Sequence, residues 1–307
     1  MFRRTKIARM QREIAELRAE IDTVRVLAAQ RLIQRIQSGK TSSLREAEFK
    51  VFSQFGDDGI IQYLIHRLAA LPDSFIEFGV ENYRESNTRF LLLNNNWRGL
   101  VFDGNQKAID CIQRDETYWR HTLTAQCAWI TRDNINDLLC QTDLGGEIGL
   151  LSIDIDGNDY WVWEKIDAVD PVITIVEYNS VFGRDLAITI PYDEGFVRHK
   201  AHYSGQFWGA SLSALELLGK RKGYYLIGCN SAGNNAYFVR NNRIGGLPVL
   251  AAQEAFVDAR WRDSRDKSGR LTYLTGPERF QAIAGLEVYD LRQNKVVPLK
   301  ALASKSR

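Results

Sequence analysis

Glu77 interrupts a short apolar stretch just before its end, Asp103 ends a second one, and each acid is followed closely by a glycine. An apolar run of strand length with turn residues at its end predicts a buried strand. Gly79 lets the backbone turn sharply and approach a ligand because it carries no Cβ. An acid at the tip of a second strand, such as Asp103, can accept hydrogen bonds from both hydroxyls of a ribose. These two strand ends therefore predict a nucleotide or nucleoside ligand.

Further polar residues follow predicted strands later in the chain: Asp154, Asp156, Glu177 and Asn179. The first two come directly after the apolar stretch 148–153, and the other two come at the end of 172–176. Ligands of open α/β sheets bind at the carboxyl ends of the strands. We therefore expect these side chains to share one pocket with Glu77 and Asp103. The plain alternative for 154–157 is a capped turn.

Two histidines, His199 and His202, lie in the segment 180–210, which is rich in glycine and aromatic residues and is predicted to be a loop or lid. Histidine titrates near neutral pH, so His202 is a candidate general base acting on substrate. Asp159 is a second alternative for that role.

The elements that must position these residues alternate along the chain. Predicted strands near 75–78, 98–103, 122–130, 148–153 and 172–178 are separated by predicted helices, a pattern typical of a parallel sheet covered on both faces. Residues 224–230 and 235–240 predict an antiparallel pair at the end of the sheet. The predicted fold class is thus α/β: a Rossmann-like, doubly wound, mostly parallel sheet with an antiparallel C-terminal strand pair.

A long helix over 5–38 is predicted to precede this fold. Its apolar residues recur at alternating steps of three and four: Ile7, Met10, Ile14, Leu17, Ile21 and Val24. This a/d pattern favours a coiled coil that joins copies of the chain into a homo-oligomer. Two alternatives are a helix folded onto its own domain and a basic helix in contact with an anionic membrane surface. The expected organisation is an N-terminal helix over 1–40, a catalytic domain over 41–245 and a C-terminal extension over 246–307.

Composition excludes several classes of function. The net charge is +2, and residues 1–40 hold ten Lys/Arg against four Asp/Glu, so the remaining chain is slightly acidic and no nucleic-acid partner is expected. The four cysteines show no CxxC spacing, which favours a reduced setting. We find no secretory signal pattern and no apolar stretch long enough to cross a membrane. The expected location is cytoplasmic, with contact at the inner face of the membrane as an option.

With these residues laid out, the chain resembles class I S-adenosylmethionine-dependent methyltransferases, in particular the FkbM-like group related to sugar O-methyltransferases. The resemblance covers about residues 49–240 and rests on the motifs at 53–59, 75–79, 153–160 and 176–179, together with Asp103. It implies S-adenosylmethionine as the cofactor. The cofactor-binding positions that it implies are Glu77, Gly79, Glu81, Ser86, Asn87, Asp103, Gly104, Asn105 and Gln126.

The resemblance also implies the reaction. A methyl group would move to a hydroxyl of a sugar or polysaccharide-type acceptor, with Asp154, Asp156 and His202 as the candidates beside the reacting atoms. Some related enzymes hold Mg²⁺ with acids after the fourth and fifth strands, and the matching positions here are Asp154 or Asp156, with Glu177 and Asn179. Hard oxygen ligands of this kind suit Mg²⁺.

Two other readings of the same residues stay open. Asp154-Ile155-Asp156 is also a DxD sequence, which in glycosyltransferases binds Mn²⁺ and a nucleotide sugar. A non-catalytic coiled-coil assembly protein with a methyltransferase-like fold is the third reading. Affinity for S-adenosylhomocysteine against nucleotide sugars separates the first two, and methyl transfer to a glycan separates the third.

Overall fold

A computed structural model describes the backbone of residues 2–303, and the side chains of these residues except 2–5, 8, 11, 15 and 303. Met1 and residues 304–307, which belong to the predicted N-terminal helix and C-terminal extension, lie outside the described residues. In chain order the strands are β1 Ser74–Phe78, β2 Arg98–Asp103, β3 Leu123–Cys127, β4 Gly146–Ile153, β5 Val169–Glu177, β6 Ile188–Thr189, β7 Tyr224–Cys229, β8 Asn235–Arg240, β9 Glu287–Asp290 and β10 Lys295–Pro298.

Helices cover both faces of the main sheet, and the first and the last described elements are helices. They are α1 Phe2–Gln37, α2 Leu44–Ala47, α3 Asp57–Arg67, α4 Arg89–Asn95, α5 Gln106–Arg114, α6 Glu116–Arg120, α7 Ile135–Cys140, α8 Asp159–Lys165, α9 Arg198–Ala201, α10 Leu212–Lys222, α11 Ala252–Ala255, α12 Pro277–Ile283 and α13 Leu299–Ala303. The predicted N-terminal helix is confirmed. No helix among the described residues has both the length and the apolar character needed to span a membrane.

Within the described residues, the main sheet has seven strands in the order β3-β2-β1-β4-β5-β8-β7. Strands β1 to β5 pair in parallel, and β8 pairs antiparallel with both β5 and β7. The predicted fold class is confirmed. The order reverses at β1, which lies between β2 and β4, and such a reversal opens a crevice at the carboxyl ends of the strands.

The strand sequences explain why both faces are covered. Successive side chains of a strand point to opposite faces, so alternate residues enter different cores. Ile76 and Phe78 of β1 belong to one buried cluster, while Phe75 belongs to the other. Leu151 and Leu150 of β4 divide in the same way. A strand that is apolar at every position is therefore buried on both sides, as the near-continuous apolar runs predict.

The segment predicted as a loop or lid is built into a small second layer. Its β6 pairs with β9, which pairs with β10 in a three-stranded sheet. The side chain of Arg279 is buried and donates to the carbonyl of Ala259 at 2.8 Å and to Gln206 Oε1 at 3.2 Å. These contacts fix the C-terminal residues beside the 180–210 segment, so they share one apolar cluster with it.

Candidate functional site

The carboxyl ends of β1, β2, β4 and β5 surround a cleft of about 520 Å³, a volume typical of small-molecule sites. Most of the residues predicted from sequence line it together. They are Glu77, Gly79, Glu81, Ser86, Asn87, Asp103, Gly104, Asn105, Asp154, Asp156 and Glu177. The cleft lies where the strand order reverses, which is why residues so distant in sequence meet there.

Gly79 shapes the base of the cleft. Its φ is +74°, and a Cβ built on it would lie 1.6 Å from the carbonyl oxygen of Asp154. Its N–H donates to the carbonyl of Phe102 at 2.9 Å. No side chain fits between the β1 turn and the end of β4, so the backbone itself forms this wall of the cleft.

Glu77 is directed at its own loop. Its carboxylate accepts hydrogen bonds from Ser86 Oγ, from the backbone N–H of Asn87 at 2.9 Å, and from both the N–H and the hydroxyl of Thr88. Burial nevertheless raises the pKa of Glu77 because these bonds do not fully replace water. Glu77 thus holds the 86–88 loop in the cleft wall and places Ser86 and Asn87 there.

Asp103 bridges two turns at the rim. One carboxylate oxygen accepts from the N–H of Glu81 at 2.7 Å, and the other accepts from the N–H of Asn105 at 2.7 Å. The side chain of Asn105 caps α5 by accepting from the N–H of Lys107. Asp103 is half-buried, and each of its oxygens keeps a lone pair that can accept a hydrogen bond from a ligand hydroxyl.

The turn after β4 is fixed by a buried acid. Asp159 at the start of α8 accepts from the N–H groups of Ile155 and Gly157, each at 2.9 Å, and burial raises its pKa to about 6. Asp156 adopts φ +55° and accepts from Arg198 Nη1 at 2.7 Å. The structure thus gives Asp159 a positioning role, and the acids on either side of Ile155 are turned into the cleft.

Asp154 and Glu177 form a close pair of acids. Burial raises the pKa of each well above its usual range, and the next largest causes are nearby negative charges, from Asp156 on Asp154 and from Asp154 on Glu177. Glu177 is 7% exposed, and its Oε2 has no hydrogen-bond partner among the described residues. Glu177 is buried and Asp154 is half-buried, and two ionised carboxylates this close repel each other in such surroundings, so the pair favours binding a proton or a cation.

Carboxylate oxygens of Asp154, Asp156 and Glu177 lie within 4.8 Å of one another. Three hard oxygen donors at this separation, one of them buried and unpaired, fit a divalent cation such as Mg²⁺. Asn179 does not join the group. Its amide donates to the carbonyls of Gln206 and Trp208, and its oxygen accepts from the N–H of Val181, so it is occupied within the fold.

Two other predicted site residues also lie outside the cleft lining. Gln126 lies on β3, in register with Phe102, on the far side of β2 from the cleft centre. His202 Nδ1 lies 2.7 Å from Ser204 Oγ, and its ring packs on Tyr203 with a centroid distance of 4.1 Å. Burial and the charge of Lys267 lower the pKa of His202. These contacts tie the imidazole to its own loop.

Several cleft residues were missed by the sequence analysis. Trp129 follows β3 with an exposed indole whose N–H donates to the carbonyl of Glu194. Its position near the end of the stretch predicted as a strand, 122–130, was the signal that could have identified it. Arg198 and Phe196 reach the cleft from the 180–210 segment, and Gln54 reaches it from the turn before α3. No local pattern predicts these positions, because only tertiary packing brings them to the strand ends.

Solved structures similar to this chain include an O-methyltransferase from Bacillus cereus in complex with S-adenosylhomocysteine (12% identity, TM-score 0.39, covering 68% of this chain and 87% of that one). The N-terminal domain of EvdMO1 with S-adenosylhomocysteine bound gives 9% identity and a TM-score of 0.41, over 68% and 94%. An S-adenosylmethionine-dependent methyltransferase from Clostridium acetobutylicum gives 11% and 0.37, over 60% and 90%. No protein-family model and no curated protein matches the sequence. The fold assignment above rests on the strand order.

Proposed function

We propose that this protein transfers a methyl group from S-adenosylmethionine to a hydroxyl of a sugar or polysaccharide-type acceptor. The observation that carries the proposal is the convergence of acids from β1, β2, β4 and β5 on one cleft at the strand-order reversal. The tip of β2 supplies Asp103 for two neighbouring ribose hydroxyls, and the glycine turn after β1 leaves room for the rest of the donor.

The cleft offers distinct surroundings for the parts of such a donor. Asp103 lies at one wall together with the exposed ring of Trp129 and the apolar side chain of Ile130, which suits a nucleoside. Asn87 and Glu81 supply polar groups for the charged amino-acid end. The proposed fit of the donor therefore rests on Asp103, which would accept hydrogen bonds from the ribose hydroxyls, and on the aromatic surface beside it.

The donor supplies an electrophilic methyl group when bound. The chain must then align the acceptor hydroxyl and remove its proton, and the Asp154–Glu177 pair is placed for this. A carboxylate whose pKa is raised is a stronger base than an ordinary one, so it can take a hydroxyl proton near neutral pH. Arg198 Nη1 contacts the carboxylate of Asp156 at 2.7 Å, beside the pair.

Mg²⁺ is the alternative to a proton at this pair, and a carboxylate that ligates the cation would not act as the base. Asp154, Asp156 and Glu177 would hold it, and it would lower the pKa of the acceptor hydroxyl and orient it. The observation that supports this is the buried, unpaired Oε2 of Glu177 in the acidic group. Binding of Mg²⁺ is expected to compete with protonation of the pair, so its affinity should rise with pH.

A second groove supports a carbohydrate acceptor. It has a volume of about 540 Å³ and meets the cleft at Gln54, which lines both. The rings of Phe55 and Trp261 lie nearly parallel in it, with centroids 5.7 Å apart. Sugar rings present flat C–H faces that pack on aromatic rings, and Arg260 at the same groove supplies hydrogen-bond donors.

Isothermal titration calorimetry with S-adenosylhomocysteine tests the donor. We expect binding to wild type and a loss of about tenfold or more in Asp103→Asn, which removes one charged acceptor. Asp167→Asn is the control. Asp167 is an exposed acid that follows α8 and does not line the cleft, so this variant should bind as wild type. Binding of a nucleotide sugar with Mn²⁺, and none of S-adenosylhomocysteine, would instead establish the glycosyltransferase reading.

Transfer of labelled methyl groups to glycan extracts tests the acceptor. Trp261→Ala should lower transfer to glycans and leave the affinity for S-adenosylhomocysteine unchanged, because Trp261 lines the second groove and does not line the cleft. Trp119→Ala is the matched control, since Trp119 is exposed elsewhere on the surface. Donor binding with no transfer to any glycan would favour a non-catalytic assembly protein.

A further inference from the structure

The N-terminal part of α1 exposes a continuous apolar stripe. Its six members are between 46% and 64% exposed: Ile7, Met10, Ile14, Leu17, Ile21 and Val24. Every described side chain from Lys6 to Ile21 is exposed, so this part of the helix projects from the domain. Single exposed apolar residues need no explanation, but a stripe at heptad spacing is the surface that a partner helix covers.

A different face of the same helix holds it to the domain. Val26, Ala29 and Ile33 pack on the cluster that contains Phe52 and Phe90. Asp22 contacts Arg89 Nη2 at 3.6 Å. At 100° per residue this face is rotated by roughly 100° from the stripe, so docking to the domain leaves the stripe open. The stripe therefore needs an occupant other than the domain.

The residue types in the stripe favour one kind of partner. With Ile7 at position a, the heptad places Ile at every a position up to Ile21, and Met10, Leu17 and Val24 at the d positions. β-branched residues at a with Leu at d favour two parallel strands over three or four, and this stripe matches that rule at its three a positions and at Leu17. Beyond Val24 the next d position is Arg31, so the repeat ends where the helix packs on the domain.

The charges beside the stripe select the orientation. Positions g are Glu13 and Glu20, and the following e positions are Arg18 and Arg25. In a parallel pair in register, each g residue faces the next e residue of the partner helix, so both Glu residues face Arg residues. In an antiparallel pair g faces g and e faces e, which would set like charges together. Within the described part of the chain, Arg18 and Glu20 have no ion pair, whereas Glu13 and Arg25 make pairs with Arg9 and Asp22 of their own helix, which the pairs between helices must replace.

We infer that residues 7–24 form a parallel, in-register, two-stranded coiled coil with a second copy of this chain. The two domains then lie at the same end of the coiled coil, because both helices enter them at Asp22 to Ile36. Each dimer carries two clefts. This inference does not depend on the proposed reaction, because none of the described side chains of α1 lines the cleft.

Multi-angle light scattering of the full chain at micromolar concentration tests the number of chains in the oligomer. Wild type should have about twice the 35.1 kDa chain mass, and Leu17→Glu should have the mass of one chain. Ala19→Glu, at the outer f position, is the matched control and should remain dimeric. A monomeric wild type, a trimer or tetramer, or a Leu17→Glu protein that stays dimeric would each overturn the inference.

Charge exchange tests the orientation. Glu20→Arg should weaken the dimer, because the new arginine would lie opposite Arg25 of the partner helix and repel it. Combining Glu20→Arg with Arg25→Glu should restore the dimer, because opposite charges would face each other again. Rescue in the double variant is expected only for g-to-e pairing in a parallel dimer. Failure of the double variant to exceed Glu20→Arg in dimer affinity would overturn the orientation, and circular dichroism of each variant confirms that the domain is folded.

Discussion

At the scale of single residues, Gly79 is the described glycine at which an added Cβ would approach another atom most closely. We expect Gly79→Ala to destabilise the protein by more than the roughly 1–2 kcal/mol that a left-handed conformation costs, because its Cβ would also lie 1.6 Å from Asp154 O. Gly146→Ala is the matched control, with φ +68° and no atom within 4 Å of the added Cβ. Urea denaturation of both compares the two costs, and equal losses would show that the close approach carries no penalty.

The Asp154–Glu177 pair sets the expected pH dependence of activity. Because the pKa of each acid is raised, the ionised base forms only as pH rises above the ordinary carboxyl range, so activity should increase with pH over that interval. Asp154→Asn should reduce kcat by about 10²–10⁴-fold and move the acid limb of the residual activity to lower pH, since Glu177 loses its main repelling neighbour.

Glu85→Gln is the control for that pH profile. Glu85 also lines the cleft but pairs with Lys50 at 3.1 Å, away from the buried acids. Its acid limb should coincide with that of wild type. A profile of Asp154→Asn that coincides with wild type would show that the two acids do not interact.

At the scale of elements, α3 is joined to the preceding turn by one acid. Asp58 Oδ2 accepts from the N–H groups of Val51, Phe52 and Ser53 at 2.7–2.8 Å and from the hydroxyl of Ser53. Burial raises the pKa of Asp58 to about 6, whereas an unfolded Asp titrates near 4. A turn that carries Gln54 into the cleft thus depends on a carboxyl group that is costly to ionise.

The stability of this connection should fall as pH rises. The pKa of Asp58 is higher in the folded state than in the unfolded state, so the folded state binds more protons. The stabilisation that Asp58 contributes is therefore complete below about pH 4 and is lost as pH rises through about 6. In Asp58→Asn the fall in unfolding free energy across this window should be smaller by about 2–3 kcal/mol. Asp143→Asn, an exposed acid, should keep the wild-type slope. Parallel slopes for all three proteins would contradict the assignment.

At the scale of the whole molecule, the cleft and the projecting helix are expected to act independently. S-adenosylhomocysteine at one hundred times its Kd should stabilise the domain by about 2.7 kcal/mol, because it binds only the folded cleft. The same increase is expected in Leu17→Glu, since Leu17 and the other described side chains from Lys6 to Ile21 are exposed and none lines the cleft. Thermal shift measurements on both proteins check this, and an increase seen only in wild type would mean that dimerisation and ligand binding are coupled.

The sequence by itself determined the fold class and the location of most cleft residues. Apolar runs such as 148–153 alternate with helical segments, and this local periodicity fixes strands, helices and parallel connections without knowledge of distant contacts. Acids at the ends of those runs, including Glu77 and Asp103, had to meet because parallel strands end at one edge. The heptad repeat in α1 was visible for the same reason, since side chains seven residues apart share a face.

Only the tertiary structure decided how each polar group is used. Glu77 and Asp159 accept hydrogen bonds within the fold, whereas a buried oxygen of Glu177 has no partner among the residues that the structure describes. The sequence cannot show this, because a carboxylate has the same identity whether its partners come from its own loop or from a ligand. For that reason Asn179, which was expected at the site, is occupied by bonds within the fold, and Trp129, which was not expected there, lines the cleft. Hydrogen-bond partners belong to three-dimensional neighbours, and those are set by packing between segments far apart in the chain.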